Sequence, residues 1–213
     1  MCGRYTLTEP ELRALEAGLE TDLPAIESRY NIAPSQSNPV VYQAEDGIQL
    51  GHFRWGLIPH WSKQPQTAYS TINARVEKVA RSPAYRDAYK KRRCLVPVSG
   101  WYEWRKGPSG KQPYYIYQPE TFAFAGLWAY WAGEGAEPFH SYTIVTGPAA
   151  DTVQHIHPRM PLVLPETAWR AWLDPATPTT EIADLLTAPE ADFEAHPVST
   201  RVNNPRNDDP ALV

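Results

Sequence analysis

The sequence predicts an α+β domain built around antiparallel sheet, and three observations carry that prediction. Short stretches rich in β-branched and aromatic residues recur along the chain, bounded by turn residues. Stretches with apolar residues at helical spacing are interspersed among them. The two do not alternate in the regular strand–helix–strand rhythm of a parallel sheet. Twenty-two prolines keep every element short. No internal repeat, low-complexity run or Gly/Ser linker divides the chain, so residues 1–213 are expected to form a single domain.

In chain order, the first element is "TEPELRALEAGL", Thr8 to Leu19. It reads as a helix with Thr8 as N-cap, Glu11 completing a capping box, and Leu12, Leu15 and Leu19 on one face. "VVYQAEDGIQLGHFRW" follows as a hairpin around Asp46-Gly47, a strong turn dipeptide. "RCLVPVSGWYEWRKGPSGKQPYYIY" reads as strands, with Gly107-Pro108-Ser109-Gly110 turning into the last one. "FAFAGLWAYW" and "HSYTIVT" add two more strands. "ETAWRAWLD" and "TTEIADLLTA" read as short surface helices. Trp169 and Trp172 lie three apart in the first of these, which assigns them to the core.

A composition of 42% hydrophobic and 21% charged residues is that of a globular chain rather than a disordered one. There is no apolar run long enough to span a membrane and no basic-then-apolar leader. The two cysteines, Cys2 and Cys94, form neither a disulfide framework nor a C-x-x-C metal pair. A cytosolic protein with reduced thiols is expected. The net charge of −4 hides an asymmetry: residues 72–111 hold eleven Lys/Arg against three Asp/Glu, leaving the rest of the chain strongly acidic. Such a pattern suits a one-sided basic surface facing nucleic acid, although "YKKRRC" alone also reads as a solvated helix face.

The opening "MCGRYTL" raises the sharpest chemical question. A cysteine so close to a terminus gains little from burial, since termini are seldom tied down. Removal of Met1 would give Cys2 a free α-amine beside its thiol. Such an amine has a pKa near 7.7–8.0 against about 10.4 for lysine, so roughly a quarter is unprotonated near neutrality. It condenses with an aldehyde to a Schiff base, and the neighbouring thiol then closes a five-membered thiazolidine. The plain alternative is an unprocessed N-terminus with an incidental cysteine.

Further along, "GWYEW" would put Trp101 and Glu103 on one face of a strand and Tyr102 and Trp104 on the other. A carboxyl beside indole rings is partly desolvated, which favours its protonated form and suits proton transfer. Gly100 would admit close approach of a backbone or a ligand. The plain alternative is an amphipathic edge strand. "STINARVE" offers Asn73 and Arg75, the first able to orient a hydroxyl and the second to grip a phosphate, unless Asn73 caps a helix over "ARVEKVA". "HIHPRMPLVL" holds His155 and His157; an H-x-H pair in a strand can bind a metal, but further ligands are not evident, so one of the two is read as a proton shuttle. Cys94, in an apolar strand, is read as core. Neither a Gly-rich phosphate loop nor a G-x-S-x-G elbow occurs.

The ordered set "MCGRY", "RYNIAPSQ", "WGLIPHW", "INARVE", "RCLVPVSGWYEW", "HPRMPLVL" and "VSTRVNNPRNDDPAL" spans nearly the whole chain. It resembles the SOS-response-associated peptidase (SRAP) family, which includes proteins that crosslink to abasic sites in DNA. The resemblance implies an α+β domain with a barrel-like β core and peripheral helices. It implies catalytic roles for Cys2 after loss of Met1, Asn73, Glu103 and His157, and DNA contacts from Arg4 and Arg75. One departure is Pro158, where relatives often carry aspartate. The exposed tryptophans expected to stack bases are Trp61 and Trp101. The implied partner is single-stranded DNA containing abasic sites, with replication-fork components open as further partners. No metal or cofactor is expected, and the expected location is cytoplasmic, or nucleoid-associated in a bacterium. Two rival readings are a cysteine peptidase that removes its own Met1 and a non-covalent binder of modified or single-stranded DNA.

Overall fold

The computed structural model describes residues 2–67, 70–108, 110–187 and 192–213. Met1, Ser109 of the expected turn and Ala188 at the end of the last expected helix lie outside the described residues. The chain runs through β1 (Tyr5–Leu7), α1 (Glu9–Leu19), β2 (Arg29–Ile32), β3 (Ser37–Ala44), β4 (Gly47–Trp55) and β5 (Asn73–Arg75). It continues with α2 (Val76–Val79), α3 (Arg86–Lys91), β6 (Arg93–Val98), β7 (Gly100–Gly107), β8 (Gly110–Tyr117), β9 (Phe122–Trp131) and β10 (Phe139–Pro148). The last elements are β11 (Arg159–Pro161), β12 (Val163–Leu164), α4 (Glu166–Leu173), α5 (Thr179–Leu185) and β13 (Glu194–Pro197). Two 3-10 turns, Thr200–Asn203 and Pro210–Leu212, end the chain.

The pairing order β10-β4-β3-β6-β9 returns to β10, so these five strands close into a barrel. Most neighbours are antiparallel, but β4 and then β5 run parallel to β10 along the same edge. A second, five-stranded sheet has the order β13-β8-β7-β1-β2 and is antiparallel throughout. Alternation along the strands separates two cores. Val40, Phe53, Trp55, Cys94, Val96, Phe124, Tyr142 and Ile144 point inward and meet Tyr5, Trp101 and Ile116 of the second sheet. Val41, Leu95, Leu127 and Val145 point outward and are covered by Leu12, Leu15 and Leu19 of α1 and by Trp169 and Trp172 of α4. A third cluster, Tyr102, Tyr115, Val202 and Leu212, lies where the C-terminal turns cover the other side of the second sheet.

Most expected elements form. The hairpin of β3 and β4 pairs Ala44 with Gly47, so Glu45 and Asp46 are its loop and Gly47 follows at φ 120°. The leucine face of α1 is buried as expected, but its capping box is not made. The Thr8 side chain caps no backbone N–H and instead hydrogen-bonds the Glu11 carboxylate, while the Thr8 N–H goes to Ser99 Oγ at 2.9 Å. Asn73 does not cap a helix: it opens β5, and Arg75 is the N-cap of α2. His155 and His157 lie on a turn before β11, not in a strand. Among the described residues no group of three or more His, Cys, Asp or Glu could hold a metal ion, and no helix is long and apolar enough to cross a membrane.

The "YKKRRC" run is not wholly a solvated face. Arg93 is buried, donating to the carbonyls of Trp172 at 2.7 Å, Tyr89 at 2.9 Å and Lys90 at 2.7 Å, and also to that of Asp174. It ties α3 to α4, and a buried guanidinium is tolerated because carbonyls satisfy its donors.

Candidate active site

The N-terminal segment is tied down far more firmly than its position suggests. Tyr5 pairs with Ile32 on one side and Trp101 on the other, so β1 is an interior strand. The Tyr5 hydroxyl meets that of Tyr142 at 2.8 Å inside the barrel, and the Tyr102 N–H donates to Arg4 O at 3.0 Å. Thr6 Oγ1 lies 2.9 Å from the Tyr115 hydroxyl and donates to Gly100 O at 3.2 Å. Gly100 makes this crossing fit: a Cβ there would sit 2.4 Å from the Tyr115 hydroxyl and 2.7 Å from Ile116 O. These ties carry Cys2 into the inner core, where it is fully buried. The expectation that Cys2 gains little from burial is therefore corrected.

Asn73 reaches Cys2 directly. Its Nδ2 donates to Cys2 O at 2.8 Å, while its Oδ1 is buried with no hydrogen-bond partner among the described residues. β5 delivers it there because Asn73 pairs with Ile144, whose side chain belongs to the same inner core. Glu103 comes from β7, two residues beyond Trp101 on the same face, and is buried. Strand β7 lies between β1 and β8, so it is an interior strand and not the edge strand of the plain alternative.

Burial holds the Glu103 carboxyl above the ordinary carboxylate range, against the pull of neighbouring positive charge that includes His157. The Cys2 thiol is likewise pushed well above its usual value, first by burial and then by the nearby Glu103 charge. Glu103 is thus electrostatically coupled to both Cys2 and His157. His157 is half-buried, with Nδ1 2.8 Å from Arg159 O and 3.1 Å from Arg159 N. In either tautomer the backbone of Arg159 can pair with Nδ1 and so orient the ring. Pro158 does not disturb this; it is exposed, and its carbonyl accepts from Ala149 N at 3.1 Å.

The other expected residues divide. Arg75 is exposed at the end of β5, and Trp61 is 53% exposed, its indole N–H donating to Pro83 O at 3.3 Å. Arg4 is half-buried and turned inward: Nη1 donates to Asn31 Oδ1 at 2.8 Å and to Val202 O at 2.7 Å. Trp101 is fully buried and cannot stack on a base. It sits on the inner face of a central strand, edge-on to Phe193 at 5.1 Å and Phe124 at 5.7 Å. Its neighbour Trp104, on the opposite face, is the accessible indole of that strand and donates to Asn203 Oδ1 at 2.8 Å.

Two participants escaped the sequence reading. Arg159 grips Glu77 with both guanidinium arms, at 2.7 and 3.1 Å, and also donates to Thr146 O at 2.7 Å. Its place two residues after His157 was the available signal. Asn31 is fully buried and donates to the carbonyls of Val202, Asn204 and Asn207 at 3.2, 3.1 and 2.6 Å while accepting from Arg4. It couples the C-terminal segment to the N-terminal one.

A family model described as SOS response associated peptidase (SRAP) matches residues 1–205. The chain belongs to the SRAP family. It is 35% identical over 221 residues to "Abasic site processing protein YoqW" of Bacillus subtilis (strain 168), covering 100% of this chain and 99% of that one. It is 35% identical to "Abasic site processing protein HMCES" of Xenopus tropicalis over 86% of this chain and 65% of that one. Among solved structures, a Bacteroides thetaiotaomicron protein superposes with a TM-score of 0.84 at 25% identity, covering 99% and 98% of the two chains. A phage-related protein of Bordetella bronchiseptica gives a TM-score of 0.76 at 34% identity, covering 92% and 94%. Within this SRAP chain, Asn73 touches Cys2 directly, and Glu103 interacts electrostatically with both Cys2 and His157.

Proposed function

We propose that this SRAP protein processes abasic sites in single-stranded DNA by linking itself to them through Cys2. The observation that carries the reading is Asn73. One end of its amide holds the Cys2 carbonyl at 2.8 Å, and the other end is a buried acceptor with no partner among the described residues. A buried acceptor is costly to leave unpaired, so a ligand or a reacting group is a natural partner for it. The Cys2 amine freed by loss of Met1, or a hydroxyl of the opened sugar, has the donor it lacks. The names of the relatives, abasic site processing proteins, support the same substrate.

An abasic deoxyribose opens to an aldehyde. The Cys2 amine adds to the aldehyde carbon, forming a C–N bond and a carbinolamine. Glu103, whose hold on its proton burial strengthens, donates to the departing hydroxyl, and water leaves as the imine forms. The thiol sulfur then adds to the imine carbon and its proton passes to the nitrogen, closing the thiazolidine. His157, fixed through Nδ1, shuttles protons during ring opening. Loss of the imine removes the species that promotes β-elimination, so the strand is shielded instead of cut. Arg75 and the outer edge of Arg4 meet phosphates, and Trp61 stacks on a base.

In the peptidase reading the Cys2 thiolate attacks a peptide carbonyl. Burial and the Glu103 charge both oppose that thiolate, which counts against it. The test is a denaturing gel of protein with an abasic single strand, with and without borohydride. The native protein should give a stable band, and its intact mass should lack Met1. Cys2→Ser should give a band only after borohydride trapping. A residue held permanently ahead of Cys2 should abolish the band. A stable crosslink from that extended variant would refute the amine as first nucleophile.

A further inference from the structure

A groove on the outer side of the barrel has the chemistry of a phosphate site. Strand β4 places His52 and Arg54 two residues apart, on one side of the strand. The register sets Ser37 of β3 opposite Arg54 on one flank and Ser141 of β10 opposite it on the other. Ser35, at φ 70° in the turn before β3, closes a third side, its N–H committed to Trp55 O at 2.8 Å. Ser35, Ser37, His52 and Arg54, with Phe139 and His140 at the start of β10, line a groove of about 450 Å³, while Ser141 is buried beneath it. An adjoining recess of about 230 Å³ shares Ser35 and Arg54 and reaches Thr71 and Ile72, the residue before Asn73.

Arg54 is half-buried and held in place. Its Nη1 donates to Pro65 O at 3.0 Å, and its guanidinium lies 5.6 Å from the centre of the Phe139 ring. No other hydrogen bond or ion pair claims its remaining N–H groups among the described residues. A guanidinium fixed this way loses little freedom when it binds, and its planar fork suits phosphate oxygens. Two serine hydroxyls and two imidazoles surround it, and among the described residues no carboxylate lines either the groove or the recess. That donor set favours an anion. Its place in the fold is also informative. Arg54 pairs with Ser141 and Asn73 with Ile144 on the same edge of β10. Three residues of strand separate them, or about 10 Å, a short reach for a polynucleotide.

We propose that this groove is a phosphodiester subsite that takes the backbone of the bound DNA strand at a nucleotide flanking the one held at Cys2. The inference rests on the single-strand binding part of the proposed function, though not on its covalent step. The probe is an intact, fluorescently tagged single strand, in one version long and in another too short to reach from Cys2 to Arg54. Two variants serve: Arg54→Gln, and His52→Glu, which puts a carboxylate in the groove at an exposed residue that makes no side-chain hydrogen bond among the described residues. Each should weaken the long strand about tenfold at low salt. Arg54→Gln should also reduce the log–log salt slope by about 0.7, the value of one single-strand phosphate contact. The short strand should bind all three proteins alike, and the crosslinking rate at saturation should not change. Replacing single phosphates by neutral methylphosphonates should locate one position whose loss weakens the native protein but not Arg54→Gln.

Native protein that binds no single strand overturns the parent reading and this one with it. Native binding with unchanged affinity and slope in both variants overturns the groove alone. Equal weakening on long and short strands also overturns it, because the substitutions would then be acting through the fold.

Discussion

Asn73 offers the most direct test of the proposed chemistry, because a single side chain joins β5 to Cys2. Asn73→Ala removes the 2.8 Å bond to Cys2 O and the buried Oδ1 together. The bond itself is worth about 1 kcal/mol net. For a chain of this size that lowers the melting temperature by about 2–4 °C. The effect on reaction should be far larger than the effect on stability. Freed from Asn73, the Cys2 backbone can shift, and a displacement of about 1 Å at a reacting group costs on the order of 100-fold in rate. Asn73→Asp separates the two ends of the amide. It keeps an acceptor but turns an oxygen toward the Cys2 carbonyl, and its charge further disfavours ionisation of nearby Glu103. Its loss should be at least as great as that of Asn73→Ala. The assay is a quenched time course of crosslinking under saturating protein, read on denaturing gels, beside anisotropy with intact single strand. Binding of the intact strand should be unchanged in both variants. Crosslinking by Asn73→Ala at the native rate would refute the argument that Asn73 positions Cys2.

Three further outcomes are expected. Glu103→Gln should slow crosslinking without weakening intact-strand binding. Because burial raises the folded-state pKa of Glu103, native stability falls as pH rises from the ordinary carboxyl value of 4.5 through the raised one. Glutamine does not ionise, so urea midpoints should show the variant gaining on the native protein across that window and levelling off above it; a gap independent of pH would contradict the burial argument. Arg75→Ala should cut the single-strand salt slope by about 0.7 and leave the crosslinking rate at saturation intact, since Arg75 is exposed at the end of β5 and is assigned to phosphate. The two tryptophans should behave oppositely: Trp101→Ala empties a buried site and should cost about 3–5 kcal/mol, or roughly 6–20 °C of melting temperature, whereas Trp61→Ala should leave the melt alone and weaken single-strand binding. Equal melting losses for both would count against the assignment of Trp61 to stacking.

What the sequence made legible was local. Leucine spacing in α1, the turn in the β3–β4 hairpin, the tryptophans of α4 and the alternation of "GWYEW" each depend on neighbours within a few residues, and each holds in the structure. What it hid depended on which strands meet. Alternation showed that Trp101 and Glu103 share a face, but not that this face looks into a barrel, so an indole expected at the surface proved buried. The parallel run of β4 and β5 along β10 joins segments separated by a long loop, and no short pattern announces it. Arg93 was hidden for a related reason: a run of basic residues reads as solvated unless carbonyls from a distant helix are known to meet one of them.

The burial of Cys2 is the most consequential of these differences, because it changes how the terminal chemistry must be understood. A flexible terminus would present an amine and a thiol in many orientations, and few would close a ring on an imine. Here β1 is an interior strand, and Asn31 binds three carbonyls of the C-terminal segment while receiving Arg4. Val202 O accepts from both Arg4 and Asn31, so the end of the chain braces its beginning. Loop entropy that would otherwise scatter the terminus is removed during folding, not at the moment of reaction. The same burial disfavours the Cys2 thiolate and so opposes early attack by sulfur in the crosslinking proposed above. In the proposed reaction, then, the amine attacks first and the thiol follows once the imine carbon is there to receive it.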